Sequence, residues 1–248
     1  MRFFIKCSYN GSKFHGWQRQ NNAISIQQKL EEALNYIQGE PIKITGAGRT
    51  DTGVHALEMF AHFDVIKLSH SKKDFIFKLN SMLPKSISIK DILKVKDDAN
   101  ARFDAISRTY EYFLSQNKDP FNYPNHYFIK DKLDWELMNK AASLLLNYND
   151  FKCFSKSNTD VKTYDCKIKS AVWEYSNNKA VFKITANRFL RNMVRAIVGT
   201  LIEVGIGKKK IDNLKLILES RDRSLAGYSV PANGLFLTKI IYPKSIFI

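Results

Sequence analysis

Cysteine is scarce: the 248-residue chain has three, Cys7, Cys153 and Cys166, and no two of them form a C-x-x-C pair. An odd number without paired spacing excludes a disulfide scaffold and a structural zinc site, and leaves reduced core or surface thiols. The five histidines, His15, His55, His62, His70 and His126, show no metal-ligand spacing, so no metal is expected. Long apolar runs are missing too. Phe3-Phe4-Ile5 stops at Lys6, too short for the apolar core of a signal peptide, and no stretch nears the roughly 18 apolar residues of a membrane span. The longest, Ala196 to Ile202, contains Gly199 and Thr200 and reads as a buried helix segment. A cytoplasmic protein with no membrane attachment is the expectation. With only 11 Gly and 6 Pro against 44% apolar residues, the composition excludes a fibre or a disordered chain and is enough for a full core.

Acidic residues are also in deficit, 24 against 39 Lys and Arg, for a formal net charge of +15. Such a charge suits a polyanionic partner, but it has a second source. The chain holds 29 Lys, 24 Ile and 19 Asn, three residues that a genome poor in G and C inflates together. The ten arginines are more informative, because drift toward Lys leaves Arg mainly where its planar fork is needed.

Residues 2 to 9 alternate as a strand, with Phe3, Ile5, Cys7 and Tyr9 on one side and Arg2, Phe4, Lys6 and Ser8 on the other. A loop over 10 to 22 follows, then a helix in which Ser25 and Gln28 make an S-x-x-Q capping box. Ile26, Leu30, Ala33, Leu34 and Ile37 share one face of it, and Gly39 stops it. Strands are predicted at 42 to 45, 59 to 66 and 87 to 95, with a helix at 72 to 82 ended by Pro84. The second half repeats this pattern. A strand at 109 to 114 is followed by a helix capped by Asp134, with Trp135, Met138, Ala142 and Leu145 inward. Strands at 162 to 175 and 180 to 186 flank the turn Asn177-Asn178. Helices at 189 to 204 and 211 to 219 and a strand at 235 to 242 complete the chain. The reading is α+β, with one half over residues 1 to 104 and a second over 105 to 248.

The densest unusual segment is Gly46-Ala47-Gly48-Arg49-Thr50-Asp51-Thr52-Gly53-Val54-His55-Ala56. Lying between two predicted strands, it makes a tight glycine loop that presents a guanidinium and a carboxylate two residues apart. A phosphate loop would need a G-K-[ST] ending and a following helix, and neither is present. Asp51-Thr52-Gly53 matches the aspartic-protease tripeptide, but that chemistry needs a second carboxylate sharing a proton. Asp51 can also be a simple turn former, or an ionised nucleophile kept charged by Arg49 and by arginines from elsewhere. On a helix from 189 to 204, at about 100° per residue, Arg188, Arg191 and Arg195 fall within an arc of about 60°, and Gly199 beside them leaves room for something bulky. The stretch from Ala101 to Tyr112 interleaves Phe103, Tyr110 and Tyr112 with Arg102 and Arg108. Such a surface stacks bases on rings while cations hold phosphates, although aromatic residues on a strand also serve as core.

At these residues the chain resembles the TruA family of tRNA pseudouridine synthases. The resemblance runs through Tyr9-Asn10-Gly11, Phe14-His15-Gly16-Trp17-Gln18-Arg19-Gln20, Gly48 to Ala56, Ala101-Arg102-Phe103 and Ser107 to Tyr112. It continues through Phe189 to Arg195, Gly199-Thr200-Leu201 and Pro231-Ala232-Asn233-Gly234-Leu235. Thr52 stands where the family more often has Ala, and the Lys-rich segment 152 to 169 does not align. The resemblance implies two similar α+β halves around a continuous, mainly antiparallel sheet with a central basic cleft. It implies a homodimer gripping the anticodon stem-loop of tRNA, and uridines at tRNA positions 38 to 40 turned into pseudouridine after base flipping. Carried over residue by residue, Asp51 is the catalytic aspartate, Arg49 helps evict the target nucleotide and Arg195 pairs with Asp51. Tyr110 stacks on the uracil, Leu235 lines the pocket, and Arg108, Arg191, Arg19, Gln18 and Gln20 hold substrate. No cofactor and no metal are implied. Two other functions stay open on the residues alone: a tRNA-binding protein or RNA chaperone without chemistry, and an aspartic peptidase. Seven of the ten arginines, Arg19, Arg49, Arg102, Arg108, Arg188, Arg191 and Arg195, lie in or beside the motif segments.

Overall fold

The computed structural model describes residues 1–157 and 161–248; positions 158 to 160 of the unaligned segment 152 to 169 lie outside the described residues. The chain divides into two compact units, one of Met1–Ile106 with Leu237–Ile248, the other of Ser107–Phe236. Both are α+β, as the sequence pattern predicts.

The first unit begins with β1 (Arg2–Tyr9), followed by α1 (Ile26–Gln38), the two-residue β2 (Thr45–Gly46), β3 (His55–Asp64), α2 (Lys72–Met82) and β4 (Ile87–Val95). β1 lies in the middle, antiparallel to β3 and to β4, and the last strand of the chain, Leu235–Ile241, lies beside β3. A sequence boundary at 104 assigns that strand to the second half. Its residues from Leu237 onward belong to the first unit, because pairing partners are set by register and not by chain order. α1 forms where its caps place it. The Ser25 side chain accepts from the Gln28 N–H, and Gly39 adopts the left-handed conformation at the end. Only half of the predicted capping box is made, since the Gln28 amide reaches forward to Glu32. Ile26, Leu30, Ala33 and Leu34 are buried, each Leu or Ile contributing roughly 1.5–3 kcal/mol.

Alternation alone misplaces Phe4. It shares a strand face with Arg2 and Lys6, yet it is fully buried against Phe60, Tyr242 and Phe247, because the C-terminal residues cover that face. β3 starts at His55, four residues before the predicted strand, and the predicted strand at 42 to 45 shrinks to Thr45–Gly46.

The second unit contains β5 (Ser107–Ser115), β6 (Tyr127–Phe128), α3 (Trp135–Leu144), β7 (Ile168–Ser176), β8 (Lys179–Ala186), α4 (Met193–Gly205) and α5 (Ile211–Ser220); β9 is the closing Leu235–Ile241. β8 pairs antiparallel with β5 and β7, and the short β6 runs parallel to β5. Asn177 and Asn178 take φ of 51° and 62°, the two positive values that a two-residue hairpin needs and that Asn tolerates. Asp134 caps α3 by accepting from Leu137, Met138 and Ala142 are buried as predicted, and Trp135 is half-buried against Tyr175. α4 is buried almost throughout, with Arg195 and Glu203 half-exposed.

One prediction fails here: α4 begins at Met193, not 189. Asn192 precedes it with φ 68°, so Arg188 and Arg191 lie in the approach to the helix and share no helical stripe with Arg195. Gly199 also serves a different partner. A Cβ there would stand 1.9 Å from the Tyr228 carbonyl, so the space beside it is filled by backbone. Among the described residues no helix is long and apolar enough to cross a membrane. All three cysteines are buried thiols, and burial pushes the Cys7 thiol up to about 12, far from reactive thiolate character.

Candidate active site

The segment 47 to 54 joins β2 to β3, and the first glycine-rich loop of the chain fixes it from behind. Ala47 N–H donates to the Phe60 carbonyl at 2.8 Å. Thr50 is buried; its carbonyl accepts from Trp17 N–H at 3.2 Å and its hydroxyl bonds to the Tyr9 hydroxyl at 2.9 Å. Gly53 N–H donates to the Phe14 carbonyl at 3.3 Å, and Val54 N–H to the Asp51 carbonyl at 3.1 Å. That last bond closes a four-residue turn whose third residue, Gly53, has φ +80°, the position at which such a turn calls for glycine. Asp51 is therefore the first residue of a closed turn. Its side chain is half-buried, while Arg49 is exposed.

The opposing loop can come this close because it also uses glycine. Gly16 has φ +83°, and a Cβ on it would sit 2.3 Å from the Thr50 carbonyl; one on Gly11 would sit 2.0 Å from the Val54 carbonyl. Gly11 N–H donates to His55 Nδ1 at 3.1 Å, which places the neutral ring's proton on Nε2. His55, a member of the dense motif, thus holds the turn.

The residues of the Gln18-Arg19-Gln20 cluster are bonded as follows. Gln18 Oε1 accepts from Arg49 Nε at 3.2 Å, Arg19 forms a 3.0 Å ion pair with Glu31, and Gln20 donates to the His15 carbonyl at 2.9 Å. Glu31 is a buried carboxylate that also accepts from Gln27 Nε2 and from Ile44 N–H, so three donors offset the cost of burying it. Sequence reading gave Gln27 and Glu31 no role beyond the helix. The available signal was a carboxylate on the apolar side of α1, next to Leu30 and Leu34.

In the second unit Tyr110 is the fourth residue of β5, half-buried, with its ring perpendicular to that of Phe189 at 5.2 Å. Tyr112 and Leu114, two and four residues on, are core. Arg108 donates to the Asn187 carbonyl at 2.7 Å, and Arg188 to the Thr163 hydroxyl at 3.4 Å. The Arg191 carbonyl accepts from Lys156 N–H. Arg195 Nε donates to the Val230 carbonyl at 2.7 Å, while Val230 N–H donates to the Arg195 carbonyl at 3.2 Å. This double bond ties the segment before Pro231 to α4, and a second tie runs from Asn192 to the Ser229 hydroxyl, which Arg223 also contacts. The Tyr112 hydroxyl donates to the Pro231 carbonyl, and burial raises its pKa above the usual range. Leu235 follows, buried at the head of β9. Among the described residues no group of three or more His, Cys, Asp and Glu is disposed to hold a metal ion.

Chemically, the first unit presents a carboxylate and a guanidinium on a rigid turn, with the guanidinium held at its Nε. The second presents a half-buried phenol ring and an arginine fixed by backbone.

A family model described as tRNA pseudouridine synthase matches residues 7–104 and 141–243. Asp51, Arg49, Arg195 and Leu235 fall within the matched spans, and Arg108 and Tyr110 fall between them. The chain is similar to a protein of Parabacteroides distasonis named tRNA pseudouridine synthase A, 49% identical over 249 residues that cover 99% of this chain and 98% of that one. A protein of Porphyromonas gingivalis with the same name is 51% identical over 250 residues, covering 100% and 99%. One from Acetivibrio thermocellus is 40% identical over 236 residues, covering 94% and 96%.

Proposed function

The chain belongs to the tRNA pseudouridine synthase family, and from that premise we propose that it isomerises uridines on the 3′ side of the tRNA anticodon stem and loop, with Asp51 as the catalytic carboxylate. The reaction breaks the bond from C1′ to N1, turns the uracil and joins C1′ to C5. The proton on C5 leaves to solvent, and N1 takes one up. Electrons and groups stay within one nucleotide, so the chemistry calls for no cofactor.

The observation that carries the reading is the mounting of Asp51. Its turn is held by Trp17, Phe14, Tyr9 and Phe60 and closed on Val54, and a fixed carboxylate is what attack on a flipped nucleotide requires. Flipping costs a few kcal/mol. In this reading Arg49 offsets that cost by taking the place of the evicted nucleotide, and Tyr110 by stacking on the uracil. Arg195 pairs with Asp51, Leu235 lines the uracil pocket, and Arg108 and Arg191 hold phosphates. Arg19, Gln18 and Gln20 border the same substrate, and their observed bonds support a share in ordering the loop as well. The active form is a homodimer that grips one tRNA across both subunits in the cytoplasm.

The test is incubation of the purified protein with an unmodified tRNA transcript, followed by carbodiimide mapping. Stops confined to uridines on the 3′ side of the anticodon arm are expected. Tight, steeply salt-dependent binding with no modified uridine would instead identify an RNA chaperone.

A further inference from the structure

The bonds around Glu31 form a relay that ends on Arg49. Gln27 Oε1 accepts from the backbone N–H of Arg19 at 3.0 Å and from Gln18 Nε2 at 2.9 Å. A backbone N–H can only donate, so this end of the Gln27 amide must be its oxygen. Gln27 Nε2 accordingly faces two acceptors, Glu31 Oε1 at 3.0 Å and the Ile44 carbonyl at 3.0 Å. The Gln18 amide is then fixed in turn. Its nitrogen is committed to Gln27, which leaves its oxygen for Arg49 Nε at 3.2 Å. Glu31 is anchored at the far end by Ile44 N–H at 3.2 Å and by Arg19 Nη1 at 3.0 Å. Each amide in the chain therefore has one orientation only, set by backbone groups at Arg19 and Ile44.

We propose that Glu31, Gln27 and Gln18 are positioning residues for Arg49: the relay holds the guanidinium by Nε and leaves the Nη1 and Nη2 edge, which can bond bidentately end-on to phosphate or a base edge, turned to the substrate. An exposed arginine samples many rotamers, and this restraint removes part of that freedom before tRNA arrives. The inference rests on the reading that Arg49 acts on the target nucleotide.

The experiment is a double-mutant cycle under single-turnover conditions, with tRNA affinity measured in parallel. Gln27→Met removes the relay while Glu31 keeps Arg19 and Ile44. It is expected to slow pseudouridine formation by about tenfold and to leave tRNA affinity within about twofold. In an Arg49→Ala background the same substitution is expected to have no further effect. Gln18→Met should slow the reaction likewise, with a loss of tRNA affinity as well because Gln18 also borders the substrate. Gln28→Met, one residue along α1, should match the unsubstituted protein, because its amide bonds Glu32 and, among the described residues, no member of the relay. An equal loss in both backgrounds would show that Gln27 merely supports the loop, and a Gln27→Met protein of normal rate would overturn the relay directly. A fully active Arg49→Ala protein would remove the reading and the inference together. A slow Arg49→Ala protein with an unaffected Gln27→Met removes the inference alone.

Discussion

Replacing Gly16 with alanine should damage the Asp51 turn from a residue 35 positions away in sequence. Two costs add. At φ +83° an L side chain is strained by roughly 1–2 kcal/mol. The new Cβ would also stand 2.3 Å from the Thr50 carbonyl and 3.2 Å from the Asp51 carbonyl carbon. Relieving the first contact needs a withdrawal of roughly 0.8 Å, at an overpacking cost of about 1–3 kcal/mol. The same carbonyl accepts from Trp17, so it cannot move without loosening that bond. The sum is about 2–5 kcal/mol, which at roughly 2–4 °C per kcal/mol for a chain this long lowers the melting temperature by about 4–20 °C. A shift approaching 1 Å at the reacting carboxylate costs about a hundredfold in rate. Calorimetry and single-turnover tritium release from 5-labelled uridine tRNA measure the two effects. Gly48→Ala in the same loop is the control: its Cβ would meet nothing within 4 Å, so its melting temperature should be unchanged. A Gly16→Ala protein with normal stability and rate would refute the reasoning. So would a Gly48→Ala protein that melts as early.

Arg195→Lys keeps the net charge but cannot reproduce the 2.7 Å bond from Nε to Val230 together with a guanidinium fork; the rate should fall by about a hundredfold, read in the same tritium assay. Gly199→Ala drives a Cβ to 1.9 Å from the Tyr228 carbonyl and should lower stability by about 1–3 kcal/mol, visible as a lower denaturant midpoint. His62 accepts from the Ala101 N–H through Nδ1 at 3.1 Å, and burial, with Arg2 nearby, depresses its pKa. The unfolded chain then binds the proton more readily, so the contribution is present above the ordinary histidine value of about 6.5 and is lost as pH falls through the lower folded value. Melting temperature should therefore drop between about pH 7 and pH 5, and His62→Asn, whose Oδ1 can take the same bond, should flatten that slope.

Local chemistry was readable wherever one residue type answers one backbone need. Ser25, Gly39 and Asp134 cap helices as their sequence contexts predict, and Asn177-Asn178 turns as predicted. The start of α4 was not readable, because Phe189-Leu190 continue the apolar pattern of the helix while Asn192 breaks it with a positive φ. Nor was the covering of Phe4, which depends on Tyr242 and Phe247 returning from the far end of the chain. At the candidate site the dense motif around Asp51 was legible as a loop. The polar relay behind it was not, since its one trace in the sequence is a carboxylate on the apolar side of α1 and the partners of Glu31 come from three segments. Gly16 and Gly11 were visible as loop glycines, but the backbone they approach could be known only from the fold. Hydrogen bonding does not set the motif arginines apart: Arg49, Arg108 and Arg195 are each held by a hydrogen bond from the guanidinium, and so are Arg2 and Arg223 outside the motifs.

The central claim is that Asp51 performs the chemistry, and the most direct measurement is tritium release from 5-labelled uridine tRNA by Asp51→Asn under single-turnover conditions, with tRNA binding measured on the same preparation. Asparagine keeps the size of the side chain and removes its charge and nucleophilicity. The account predicts tRNA affinity within about tenfold of the unsubstituted protein and no release above background. Release at the unsubstituted rate would contradict it.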